Sequence, residues 1–93
     1  MNLTEARAQI RDADLQMREL FLQRMEAVRA VADWKKEHGL PVEDREQEMR
    51  VLSELGPGVE NEALRPFYLK YVQDVMDVSK EWQHYLIEGF STL

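Results

Sequence analysis

Residues 3–36 read LTEARAQIRDADLQMRELFLQRMEAVRAVADWKK, and this stretch decides the fold. Apolar side chains recur every three or four positions at Leu3, Ala6, Ile10, Ala13, Met17, Leu20, Ala27, Val31 and Trp34, the stripe of one long amphipathic helix. Arg24 falls on the same stripe. A guanidinium does not lose its proton, so burying it is costly unless an anion or a hydrogen-bonding partner receives it. Arg24 is therefore a candidate ligand-binding residue.

Size sharpens this reading. A single domain of 93 residues is expected to form a globule about 32 Å across, whereas the first helix alone is about 50 Å long. Its apolar stripe overhangs its own domain, and the overhang is expected to pack against a second copy of the chain.

Outward from this helix, the punctuation marks two more. Asn2 with Glu5 is a capping-box start and His38-Gly39 before Pro41 a stop, so helix one is expected over about 3–37. Asp44 with Gln47 opens a second helix over about 44–55, closed by Gly56-Pro57-Gly58. A third is expected over about 64–88, with Pro66 in its first turn and Phe67, Tyr71, Val72, Val75, Val78, Trp82 and Leu86 as its apolar positions. No strand, repeat or low-complexity tract is predicted. The expectation is one all-α domain over 1–93, long–short–long, in an intertwined homodimer.

The formal net charge of −6 and pI near 4.9 argue against nucleic acid or an anionic membrane surface as partner. With no cysteine, disulfides and thiolate metal sites are excluded. Neither a basic, apolar signal segment nor a membrane-length apolar run is present, so a cytoplasmic protein is expected.

The polar residues on the inner faces carry the chemistry. Lys35, eleven residues and three turns after Arg24, projects from nearly the same face about 16 Å further along. Arg7 lies on the edge of the stripe but about 25 Å from Arg24, so only an antiparallel partner helix brings it to that site. On helix three Ser79 and Gln83 are spaced i, i+4 along the inward line, and on helix two Asp44 and Glu48 share a face. Three cations, a hydroxyl, an amide and two carboxylates suit a small rigid dianion that carries a hydroxyl group.

Each residue also has a plainer reading. Arg7 is a solvated edge residue, Asp44 and Gln47 are helix caps, and Ser79 bonds back to a carbonyl of its own helix. Glu81-Trp82-Gln83-His84 has the Glu-x-x-His spacing of di-iron bundles, but such a site needs that motif on two helices and here it occurs once. His38 is read as a C-terminal residue interacting with the helix dipole. No Gly-rich phosphate loop and no nucleophile–base arrangement is found.

The sequence resembles the all-helical (AroQ-type) chorismate mutases over about residues 3–87. The resemblance rests on Arg7-x-x-Ile10-x-x-x-Asp14, Leu22-x-Arg24-Met25, Val31-Ala32-x-x-Lys35, Pro41-Val42-x-Asp44, Glu48 with Val51-Leu52, and Ser79-x-x-x-Gln83. It implies a domain-interlocked homodimer that converts chorismate to prephenate in aromatic amino-acid biosynthesis, without metal or cofactor. It further implies that Arg24, and Arg7 of the other subunit, bind the substrate carboxylates with help from Ser79. Lys35 and Gln83 would hydrogen-bond the ether oxygen, and Glu48 with the Asp44 region would meet the ring hydroxyl. One position departs, because the family commonly has arginine directly before the helix-two glutamate and here the pair is Gln47-Glu48. Arg45 is about 200° away from Gln47 around the helix. Two alternatives use the same residues: an isochorismate lyase of this fold, and a non-catalytic dimerisation module in which Arg24 pairs with Glu48 or Asp14. An empty polar cavity around Arg24, Lys35 and Gln83 would separate them.

Overall fold

A computed structural model describes residues 1–89, so the last four positions of the expected domain lie outside the described residues. The described chain is all-α: α1 (Leu3–His38), α2 (Arg45–Leu55), a short 3₁₀ turn (Gly56–Gly58) and α3 (Arg65–Glu88). The caps explain the boundaries. Asn2 Oδ1 accepts from the Glu5 amide at 2.8 Å, while Asn2 Nδ2 donates to Glu5 Oε1 at 2.9 Å. At the other end Gly39 takes φ 65°, which a residue with a Cβ rarely adopts. Leu40 N then donates to Lys35 O at 2.8 Å and Gly39 N to Lys36 O at 3.4 Å, the paired bonds of a Schellman motif. Asp44 Oδ1 caps α2 by accepting from the Gln47 amide at 3.1 Å. Ahead of α3, Asn61 Oδ1 accepts from the amides of Ala63 and Leu64, a turn the sequence reading missed.

Gly56 is buried, because Leu69 packs where a side chain would be: an added Cβ would stand 3.2 Å from Leu69 Cδ2. The long helices lie against each other through Val28, Ala32, Val72 and Met76, with Val42 of the α1–α2 connection completing the buried apolar set. Outside that seam Arg29 stacks its guanidinium 5.7 Å from the Trp82 ring centre.

The buried face of α1 differs from the predicted stripe. Val28 and Ala32 are buried, in line with Arg24 at four-residue spacing. The stripe residues Ile10, Leu20 and Trp34 are about 60% exposed, and Val31 is 44% exposed. No residue from Leu3 to Met25 is buried. Arg24 itself is exposed, although α3 reaches it through Ser79. On α3 the inward line is Val72, Met76, Ser79 and Gln83, with Val75 and Leu86 only half-buried. The extents are 52 × 25 × 20 Å and the radius of gyration is 16.1 Å, against about 12 Å for a compact domain of this length.

Candidate active site

α1, α2 and α3 meet around a cleft of about 180 Å³, and its polar lining comes from Arg24, Asp44, Gln47, Glu48, Ser79, Lys80 and Gln83. Its apolar floor is Val28, Val31, Val42, Val51 and Met76. The volume lies below the roughly 300–1,000 Å³ of a complete ligand pocket, in keeping with a cleft that is open to solvent. Six sequence-predicted residues, Arg24, Asp44, Gln47, Glu48, Ser79 and Gln83, are brought together here.

Arg24 Nη1 donates to Ser79 Oγ, and Ser79 Oγ donates in turn to Val75 O at 2.8 Å. The plainer reading of Ser79 is therefore true and incomplete, since the hydroxyl also receives the guanidinium. Among the described residues Arg24 forms no ion pair with Glu48, Asp14 or any other carboxylate. Gln83 is 6% exposed, and its Oε1 is buried with no hydrogen-bond partner. Leaving such a group unmet costs about 1–3 kcal/mol, so the cleft holds an amide whose partner must come from outside the described residues.

Lys35 stands beside the cleft without lining it. Its ammonium donates to Val42 O at 2.7 Å, and Val42 is one of the floor residues. This backbone contact occupies one of the three ammonium protons of Lys35. Arg7 is not at the cleft. It lines a shallow groove on α1 with Ile10, Arg11, Asp14, Leu15 and Arg18.

Glu48 is engaged from α3. Its Oε1 accepts from Gln73 Nε2 at 3.0 Å and lies 3.3 Å from Lys80 Nζ. Lys80 also lies 3.3 Å from Glu43 Oε1 and 3.4 Å from Asp77 Oδ1. Burial acts to lower the Lys80 pKa, and the hydrogen bonds and charges of Glu48 and Glu43 outweigh it, so the net shift is upward. Sequence reasoning missed Lys80, Glu43 and Gln73; the signal was Asp77 and Lys80 at i, i+3 on α3 with one face toward two carboxylates of α2 and its leader. The cations lining the cleft are Arg24 and Lys80, and only Arg24 is unpaired among the described residues. In the rival metal motif His84 Nδ1 lies 3.2 Å from Glu88 Oε1, its neighbour one turn on. His38 Nδ1 lies 2.8 Å from Trp34 O, with the two rings stacked at 4.0 Å.

No helix among the described residues is long and apolar enough to cross a membrane. A profile of the chorismate mutase type II family matches residues 6–84 of the 93. Neither a curated protein nor a solved structure matches the chain.

Proposed function

The chain belongs to the chorismate mutase type II family, a family of isomerase-type enzymes, and from that premise we propose that it converts chorismate to prephenate as a cytoplasmic homodimer. The observation that carries the reading is an unpaired guanidinium, Arg24, and a buried amide without a partner, Gln83, on the walls of one polar cleft. A dianionic ligand supplies the negative charge that Arg24 lacks, and its ether oxygen an acceptor for the Gln83 NH₂ group. A dimerisation module would have matched Arg24 to a carboxylate of its own.

The rearrangement is unimolecular and transfers no proton to or from the protein. The enzyme must hold the enolpyruvyl arm over the ring and stabilise negative charge on the breaking C–O bond. Arg24, steadied by Ser79, binds a substrate carboxylate. The Gln83 amide turns its NH₂ to the ether oxygen, and Lys35 offers that oxygen one of its two remaining protons. Glu48 and Asp44 accept from the ring hydroxyl. Each preorganised donor of this kind typically contributes about 3–4 kcal/mol to transition-state stabilisation.

Arg7 of a second copy binds the other carboxylate. Two carboxylates and two cations line the cleft, so a dianion needs further positive charge. An antiparallel α1 brings both that charge and a cover for Leu3, Ile10 and Leu20, each at least 60% exposed in the single chain.

The test is to incubate purified protein with chorismate, follow its absorbance and identify the product. Prephenate formation is expected. Pyruvate release from isochorismate without prephenate from chorismate would move the assignment to the lyase, and no turnover of either would leave a binding module. Sedimentation equilibrium is expected to give a dimer at micromolar concentration, and a folded monomer would overturn that part.

A further inference from the structure

Lys80 stands on the wall between two clefts. It lines the one that holds Arg24, Ser79 and Gln83, and also a second one, of about 470 Å³, lined by Glu43, Arg45, Glu48, Met49, Leu52 and Gln73. Its ammonium reaches three carboxylates from three parts of the chain. They are Glu43 in the α1–α2 connection, Glu48 on α2 and Asp77 on α3, at 3.3, 3.3 and 3.4 Å. Its side chain is 22% exposed, far less than those of the surface pairs Arg18–Glu19 and Arg50–Glu46.

The segment it holds carries three of the seven polar residues that line the cleft. Val42 O receives Lys35, Glu43 receives Lys80, Asp44 caps α2, and Gln47 and Glu48 face the cleft. The connection from Gly39 to Asp44 has no regular structure of its own. Between α1 and α2 its ties are the buried Val42 side chain, the Lys35 contact and the pair from Glu43 to Lys80.

We propose that Lys80 is a positioning residue for the reaction: through Glu48 it aims the carboxylate that meets the substrate hydroxyl, and through Glu43 and Val42 it fixes where Lys35 presents its protons. The role rests on the chorismate reading for its catalytic consequence but not for its structural one. Lys80 touches no reacting atom. Around Glu48 the charged groups are Lys80 and Asp77 on α3, Glu43 and Asp44 in the connection, Arg45 on α2 and Arg24 on α1 across the cleft. Removing Lys80 leaves Glu43, Glu48 and Asp77 together without the ammonium they share, an arrangement that favours proton uptake as pH falls.

The test compares the full chain with Lys80→Met, Lys80→Arg, Glu43→Gln and Asp77→Asn. Each is checked for folding by circular dichroism and assayed with chorismate from pH 5 to 8. Lys80→Met keeps the length of the side chain and is expected to lower kcat/KM about 10- to 100-fold, the scale of a small misplacement at the reacting centre. The deficit should widen toward pH 5. Lys80→Arg should restore most of the activity, and Glu43→Gln should lower kcat more than it raises KM, because it loosens Lys35 and leaves Glu48 paired. Asp77→Asn, a change on the exposed side, should stay within about threefold. Hydrogen–deuterium exchange without ligand is a second readout: the Gln47 and Glu48 amides, both bonded to Asp44, should exchange faster in Lys80→Met and Glu43→Gln.

A folded Lys80→Met with parental kcat/KM at every pH would overturn the proposal. If Lys80→Met does not fold, Glu43→Gln decides, and parental kcat and exchange there would overturn it equally. A parent inactive on chorismate, with faster exchange in the variants, would sink the chorismate reading and leave Lys80 as the residue that positions this segment.

Discussion

Arg24 of α1 and Ser79 of α3, 55 residues apart, share a hydrogen bond while the Ser79 hydroxyl gives its own proton to Val75 O at 2.8 Å. The donor direction is thereby fixed. Ser79 has no proton left for Arg24 and acts on it only as an acceptor, which holds the guanidinium over the cleft without neutralising it.

Ser79→Ala should therefore release Arg24 without altering its charge. KM for chorismate is expected to rise about threefold to tenfold, with kcat changed less, and stability to fall by about 1 kcal/mol. Steady-state kinetics with a denaturant melt checks both, and an unchanged KM would show that Arg24 is oriented by something else.

A site completed by a second subunit makes a sharper claim. Arg7→Ala and Arg24→Ala homodimers should each be nearly inactive, yet a mixture should recover activity after subunit exchange, because each heterodimer holds one site with both arginines. No recovery after exchange has been verified by mass spectrometry would place Arg7 outside the site.

Gln47 lines the cleft with no charge to offer, and its backbone N–H donates to Asp44 Oδ1. Gln47→Arg adds a cation on the α2 wall and should raise kcat/KM for chorismate by up to about tenfold, the scale of one partly screened charge-assisted contact. A value at or below the parent's would mean that the position serves the helix start alone.

Gln83 is neutral, so its part in catalysis should be nearly flat from about pH 5 to 8. In Gln83→Glu the new carboxyl donates only when protonated. Burial raises its folded-state pKa above the unfolded value, so the protonated form is the stabilised one. Stability and activity should both be present in acid and lost as pH rises through the folded-state pKa. Paired kcat/KM and melting profiles from pH 4.5 to 8 test this, and a variant as active at pH 8 as at pH 5 would remove Gln83 from the ether oxygen.

The Lys80 pKa shift sets the opposite end of the pH scale. Its folded pKa is raised above the ordinary 10.5, so the stability it contributes is fully present below that value and is lost as pH rises through the folded pKa. The melting-temperature gap between the parent and Lys80→Met should hold to about pH 10 and shrink above 10.5. A gap constant to pH 12 would show that Lys80 stabilises through packing alone.

Much of this was legible in the sequence, and the exceptions share a cause. Caps are local, so Asn2, Gly39 and Asp44 mark the helix ends from a few residues' chemistry. Arg24, Ser79 and Gln83 were legible because each is polar where periodicity demands an apolar side chain. The face of α1 that its own chain buries was not legible, since Val28 and Ala32 are outnumbered by a stripe running the length of the helix, and periodicity cannot say which of two faces meets which chain. Lys80, Glu43 and Gln73 were missed because they sit where solvent-facing residues are expected. Their convergence depends on how α2 leans on α3, which no local pattern records.

The bare stretch of α1 from Leu3 to Met25 also bears on how the protein acquires its structure. The pieces a lone chain can assemble are the C-terminal third of α1, α2 and α3, closed around Val28, Ala32, Val72 and Met76. Upstream of Phe21, α1 has only its cap and helix propensity until a second chain lies along it, whereas most helical stability in proteins comes from packing of an apolar face. For the proposed dimer, refolding from denaturant is therefore a relay: a first phase independent of protein concentration, then a second whose rate rises with it.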